Sequence, residues 1–294
     1  MTDTTTARRA RLRQLVEARQ GLLMPGAFNA LSARVIADMG FETVYLSGAG
    51  LTNMQLGMPD LAFIGLQDVA QATAQIRGTV DLPMLVDGDT GFGNAVNVSH
   101  TVRTLERAGA DAIQLEDQVF PKRCGHFNGK DVAPLGEMIG KIKAAVDART
   151  DPNFLIVART DARSVHGFDA AVERAARMAE AGADLLFVEA TESVDEVRKL
   201  PALLPLPQVM NIVIGGKTPQ LPQSELAELG FGLVLYANTA LQGAVLGMQR
   251  ALGELQAKGI LREDPSLVIP FMERQRLVDK PRFDAMEKQY AQGD

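Results

Sequence analysis

Acidic side chains recur along this chain at the places where a short apolar run stops. Asp87 and Asp89 follow the run Pro83 to Val86, Glu116 follows Ala112 to Leu115, and Asp60 stands in the stretch after Thr43 to Leu46. Carboxylates brought together repel and raise one another's proton affinity unless a cation neutralises them. Oxygen donors with no histidine among them favour Mg2+, with Mn2+ as the alternative, over zinc. Because Mg2+ commonly keeps several waters, some of these four would act through water. The glycines of Asp87-Gly88-Asp89-Thr90-Gly91-Phe92-Gly93-Asn94 let the backbone turn tightly beside such an ion. As a dinucleotide signal Gly91-Phe92-Gly93 is weak, since Val96 stands where a third glycine is expected.

A second kind of chemistry is packed into Pro121-Lys122-Arg123-Cys124-Gly125-His126, where three potential cations surround the only cysteine. Cations favour a thiolate, which fits Cys124 to proton transfer near neutral pH, with Gly125 as a hinge. Arg159 emerges from the apolar run Phe154 to Ala158, where a guanidinium is costly unless an anion meets it. A substrate carboxylate would serve, as would Glu189 at the end of Leu185 to Val188, and the planar fork favours bidentate pairing. Ser47-Gly48-Ala49-Gly50 reads as a small-residue turn whose N–H groups can meet an oxyanion. Tyr45 holds the place of the first glycine of a Gly-x-Ser-x-Gly elbow, which argues against a serine hydrolase. No lysine follows a strand closely enough to be an activated Schiff-base former, and no His-Glu-x-x-His zinc motif occurs.

These residues need elements to hold them. Eight β-rich apolar runs are predicted: Gly21 to Met24, Thr43 to Leu46, Pro83 to Val86, Ala112 to Leu115, Phe154 to Ala158, Leu185 to Val188, Gln208 to Asn211 and Leu233 to Tyr236. Helical spacing lies between them, as in Ala30 to Met39, Leu66 to Arg77, Val98 to Ala108, Glu137 to Ala148, Asp169 to Ala181 and Ser224 to Leu229. Runs apolar on both faces, each followed by a helix, predict parallel strands closed into a (β/α)8 TIM-type barrel, α/β in class. Its functional rim is the C-terminal end of the strands, where Tyr45, Asp87, Glu116, Arg159, Glu189 and Asn211 fall. Gly40, Gly109, Gly182 and Gly230 are expected helix C-caps. One barrel domain is expected over residues 1–294, with a helical extension from about residue 240. The extension holds the segment Ala240 to Lys258 and another near Pro281 to Ala291, more than closure of a barrel needs, and is expected to pack on another subunit.

Composition narrows the partners. Apolar residues at 46% and charged residues at 22% match a globular enzyme rather than a disordered chain. A net charge of −6 without a long Lys/Arg run disfavours nucleic acid. The single cysteine excludes an intrachain disulfide and suits a reducing compartment. No apolar stretch of about 18 residues occurs, and Met1 to Arg13 is polar and basic, so a cytoplasmic protein without a membrane segment is expected.

Taken together, the motifs resemble the isocitrate lyase and phosphoenolpyruvate mutase superfamily over nearly the whole chain. The resemblance is carried by Tyr45-Leu46-Ser47-Gly48, Leu56-Gly57-Met58-Pro59-Asp60, Asp87-Gly88-Asp89-Thr90-Gly91-Phe92-Gly93-Asn94 and Leu115-Glu116-Asp117-Gln118. Lys122-Arg123-Cys124-Gly125-His126, Ala158-Arg159-Thr160-Asp161-Ala162 and Phe187-Val188-Glu189-Ala190 complete it. The cysteine loop resembles the lyase branch, which includes 2-methylisocitrate lyase and 2,3-dimethylmalate lyase. The resemblance implies Mg2+ at Asp60, Asp87, Asp89 and Glu116, and a keto-acid moiety held by Ser47 and Gly48 beside Arg159. It implies a catalytic set of Cys124, Arg159, Glu189, Tyr45 and His126, with Arg123, Gly125 and Asn211 also binding substrate. A mobile loop around Cys124 and a homotetramer with exchanged C-terminal helices are implied as well. The implied reaction is a retro-Claisen cleavage of a small 2-hydroxy di- or tricarboxylate. Two features depart from the lyases: Ile214 stands where they usually carry glutamate, and Tyr236-Ala237-Asn238, with Asn94, is similar to the mutase and hydrolase branch. Oxaloacetate decarboxylase or phosphonopyruvate hydrolase/phosphonomutase activity is therefore the alternative, and a barrel that binds a metabolite without chemistry is the third.

Overall fold

The computed structural model describes residues 4–125 and 129–291. Helix α1 (Thr4–Glu17) precedes β1 (Leu22–Ala27), α2 (Ala30–Asp38) and β2 (Val44–Leu46). Next come α3 (Gly48–Leu56), α4 (Leu66–Arg77), β3 (Met84–Asp87), α5 (Ala95–Ala108) and β4 (Ala112–Glu116). They are followed by α6 (Leu135–Ala148), β5 (Leu155–Thr160), α7 (Arg163–His166), α8 (Phe168–Glu180) and β6 (Leu185–Val188). The remainder is α9 (Val194–Leu203), β7 (Val209–Asn211), α10 (Gln223–Leu229), β8 (Leu233–Tyr236), α11 (Thr239–Lys258), α12 (Phe271–Leu277) and α13 (Lys280–Tyr290).

All eight strands are parallel, in the order β6-β5-β4-β3-β2-β1-β8-β7. The ring closes between β6 and β7 through a parallel bridge, Leu186 to Gln208, with the Leu186 amide donating to the Pro207 carbonyl at 3.1 Å. The predicted (β/α)8 barrel is therefore present. Alternation along each strand makes two apolar layers. Tyr45, Leu85, Ala112, Val157 and Phe187 fill the barrel, while Leu46, Val86, Ile113, Ala158 and Val188 pack outward against helices. Burial on both faces explains why the runs read as continuously apolar. Gly40, Gly109, Gly182 and Gly230 all have positive φ, which ends each helix in a conformation that costs other residues a Cβ clash.

No element is predicted for the polar segment at the start of the chain. It forms α1, which closes the base of the barrel by adding Leu12 and Val16 to the interior layer. Its buried face also carries Arg8 and Arg9, which meet Asp111 and Glu106. Arginines on a buried stripe hide a helix from hydrophobic periodicity. At the other end, α11 buries only Leu241 among its own residues and leaves Val245, Leu246, Met248, Leu252 and Leu255 exposed. Arg276 of α12 pairs with Asp38 of α2 at 2.7 Å, which ties the extension back to the barrel. Among the described residues no helix is long and apolar enough to cross a membrane.

Candidate active site

At the C-terminal rim a narrow cleft opens. Tyr45, Ser47, Asp60, Asp87, Glu116, Lys122, Arg123, Cys124, Gly125, Arg159, Glu189 and Asn211 line it, so side chains expected from separate strand ends meet in one space. Gly48 and Asp89 sit immediately behind Asp87. His126 lies outside the described residues.

Ser47 does not open a free turn, as its small neighbours led us to expect. It is the N-cap of α3: its Oγ accepts from the Gly50 amide at 3.0 Å and donates to Asn238 Oδ1 at 3.2 Å. The site thus gains a helix N-terminus, whose dipole favours anions. The Gly48 amide points at Asp87 Oδ2, 3.3 Å away, and the Asp89 amide at Asp87 Oδ1, 3.2 Å away. Burial, reinforced by the Asp87 charge, pushes the Tyr45 phenol well above the usual range. Tyr45 is accordingly a neutral donor rather than a base.

The carboxylates share the cleft with an ammonium group. Lys122 Nζ lies 2.6 Å from Asp60 Oδ1 and 2.8 Å from Asp89 Oδ1, itself 4% exposed. Burial raises Asp89 to about 7 even so, with Lys122 only partly offsetting it. Burial also holds Glu116 well above the usual carboxylate range, against the pull of Arg159. One Glu116 oxygen, Oε1, is buried with no hydrogen-bond partner among the described residues. Among the described residues no three acidic, histidine or cysteine side chains converge closely enough to grip a metal between them. The donor chemistry still fits a hard divalent ion, because desolvated carboxylates and an orphaned carboxylate oxygen are what such an ion satisfies.

Arg159 is more heavily engaged than its isolated position in an apolar strand implied. Its bidentate edge is taken by Asp161, with Nε to Oδ2 at 2.9 Å and Nη2 to Oδ1 at 3.1 Å. Nη1 faces Glu116 at 3.4 Å and Glu189 at 3.3 Å, and the guanidinium lies over the Phe187 ring, 5.2 Å from its centre. Asn211 Nδ2 approaches both Glu189 oxygens at 3.3 and 3.4 Å. Cys124 is half-buried and Arg123 exposed; the backbone at Arg123 is held on both sides by Gln118. Gly125 is pressed against the floor: a Cβ there would stand 2.4 Å from Arg159 Nη2 and 2.6 Å from Glu189 Cγ.

Sequence reasoning missed the positions of Lys122 and Lys130 and the orienting role of Asp161. It also missed Asn238 as the partner of Ser47. Asn94 caps α5 by accepting the Val96 and Asn97 amides, which accounts for it structurally.

A (β/α)8 barrel whose strand ends gather carboxylates, a guanidinium and a cysteine around one cleft defines an enzyme that handles small anions. Residues 12–256 match the family described as phosphoenolpyruvate phosphomutase, and the chain belongs to that family, in the PEP mutase/isocitrate lyase superfamily. It is 38% identical to 2,3-dimethylmalate lyase of Eubacterium barkeri over 97% of this chain and 98% of the relative. It is 46% identical to 2-methylisocitrate lyase of Aeropyrum pernix over 86% of this chain and 81% of the relative. Among solved structures, oxaloacetate acetylhydrolase with 3,3-difluorooxalacetate superposes with a TM-score of 0.91 at 31% identity, covering 98% of both chains. Phosphonopyruvate hydrolase with oxalate and Mg2+ superposes with a TM-score of 0.87 at 30% identity, covering 97% of this chain and 99% of that one. The chain is an enzyme of this catalytic superfamily, in which the two named relatives are lyases.

Proposed function

We propose that the protein is a Mg2+-dependent carbon-carbon lyase, because the Cys124-Gly125 segment is seated on Arg159 and Glu189 in the same cleft as the acidic strand ends. The substrate is a small 2-hydroxy di- or tricarboxylate of the 2-alkylmalate or 2-methylisocitrate type. Cleavage gives a 2-keto acid such as pyruvate and a carboxylic acid. Asp60, Asp87, Asp89 and Glu116 would hold Mg2+, which supplies Lewis-acid stabilisation of the oxygen that becomes the keto group. Ser47 and Gly48 at the N-terminus of α3 hold the keto-acid end, and Arg123 and Asn211 hold the remainder. Glu189, oriented by Asn211 and Arg159, takes the 2-hydroxyl proton. The electrons of that O–H bond form the C=O bond, and those of the adjacent C–C bond pass to the leaving fragment. The Cys124 thiol then protonates the carbanion, and the proton held by Glu189 restores the thiol through solvent. Neutral Tyr45 lines the cleft with Asp87 as a hydrogen-bond donor to the reacting oxygens.

The test is 2-keto acid release from alkylmalates, methylisocitrate, isocitrate, oxaloacetate and phosphonopyruvate, with Mg2+ and after chelation. Release from an alkylmalate or methylisocitrate that chelation abolishes is the expected result. Cleavage of none of these acids by protein that binds Mg2+ would refute the proposal. The likeness of Tyr236-Ala237-Asn238 to the mutase and hydrolase branch, with Asn238 lining the cleft, supports a second reading, the oxaloacetate or phosphonate chemistry of the neighbouring hydrolases. Phosphonopyruvate turnover unaffected by Cys124→Ser would support it.

The exposed apolar side chains of α11 support assembly into a homotetramer by exchange of C-terminal helices. Sedimentation of the wild type should give about four times the chain mass, and Leu252→Glu, which puts a charge on that face, should shift the protein to smaller species. A monomeric wild type would exclude this assembly.

A further inference from the structure

Gly125 and Lys130 stand five residues apart in sequence and meet through one side chain. Lys130 Nζ donates to the Gly125 carbonyl and, at 2.7 Å, to Asp161 Oδ1; its side chain is 1% exposed. The Asp161 carboxylate, fully buried, is the same group that grips Arg159 along its bidentate edge. Asp161 is itself fixed, because its amide donates to Asp117 Oδ1 at 2.9 Å, while Asp117 Oδ2 accepts from Thr160 at 2.6 Å and Arg174 at 2.5 Å.

We propose that Lys130 is a positioning residue: its ammonium ties the backbone next to Cys124 to the carboxylate that orients Arg159. The role rests on Cys124 acting as proton donor in the reaction proposed above. One anchored carboxylate thereby sets both the guanidinium and the thiol. Arg159 is shared among Asp161, Glu116 and Glu189, so Lys130 also supplies charge to this cluster; the bond to Gly125 is what a simple counter-ion would lack. The contact also accounts for glycine at 125, where the segment is held so close to Arg159 and Glu189 that no Cβ fits.

Cys124 is the only cysteine, so alkylation by iodoacetamide reads this segment alone. A buried hydrogen bond to a charged group contributes enough that its loss in Lys130→Met should raise the alkylation rate of the folded protein about tenfold. Misplacement of the thiol by a fraction of its reach should lower kcat about a hundredfold while KM changes by less than about threefold. Lys130→Arg should recover part of both effects. Lys130→Gln, which keeps a neutral donor, gives the same test if the methionine variant does not fold. An alkylation rate within about twofold of wild type in either folded neutral variant would overturn the clamp. If the wild type cleaves none of the candidate acids, the lyase reading fails, and the alkylation rates still decide whether Lys130 seats the segment.

Discussion

Cys124→Ala should lower 2-keto acid release about a thousandfold, within the range that a positioned acid contributes to a rate. The C–C bond breaks reversibly, so a carbanion that finds no proton recombines with the keto acid beside it. Loss of the donor therefore appears as lost net product even where the bond still breaks. Substrate and metal affinity should change little, because the groups assigned to them are other residues of the cleft: Asp60, Asp87, Asp89, Glu116, Ser47 and Asn211. Cys124→Ser should be nearly as inactive, since a hydroxyl of similar size is a far weaker acid than a thiol. The measurement is steady-state release with a good substrate, beside Mg2+ and oxalate titrations of each variant. Activity within about tenfold of wild type in both variants would place the donor elsewhere, because general acid catalysis is worth more than that.

How far the site was legible depends on what positions each residue. Asp87, Glu116, Arg159, Glu189 and Asn211 each end an apolar run, and in a parallel barrel the end of a strand is the rim. Their convergence needed only the strand count and the regular order of strand and helix. Lys122 and Lys130 belong to a connection between β4 and α6, where the path of the chain, not periodicity, decides where a long flexible side chain reaches. Lys122 read as a cation beside the thiol; in the fold it neutralises Asp60 and Asp89 instead. Asp161 follows Arg159 by two residues, just past the end of β5, a spacing that could have signalled their pairing.

The same distinction separates the two ends of the barrel. Continuous apolar runs predicted the strands, and glycines marked the ends of α5 and α10 where the αL caps lie. Helix α3 was hidden because Ser47-Gly48-Ala49-Gly50 has turn composition, and only the capping bond from the Gly50 amide to Ser47 Oγ reveals a helix start. Helix α1 was hidden because half of its buried face is arginine, and the carboxylates that make this burial tolerable lie far along the chain.

Asp111→Ala should be among the most destabilising single changes in the molecule. Asp111 is fully buried at the start of β4, and its oxygens accept from Arg8 Nε at 3.0 Å, Arg77 Nη2 at 2.7 Å and the Met84 amide at 2.9 Å. Alanine would leave buried guanidinium charge uncompensated, a change that typically costs about 3–5 kcal/mol, and would orphan the Met84 N–H. Because α1 is held to the barrel base largely through Arg8 and Arg9, the loss should free that helix and expose Leu12 and Val16. Asp111→Asn should cost less, since its amide oxygen can still accept from Met84. Urea unfolding at fixed protein concentration checks this, with the midpoint falling and the slope preserved if unfolding remains two-state. The rim lies at the opposite end of the strands, so folded Asp111→Asn protein should retain the wild-type rate of keto-acid release. A cost below about 1 kcal/mol for alanine would mean that Glu106 and Asp81 suffice to neutralise the arginines, and that the carboxylate at 111 is dispensable to the barrel base.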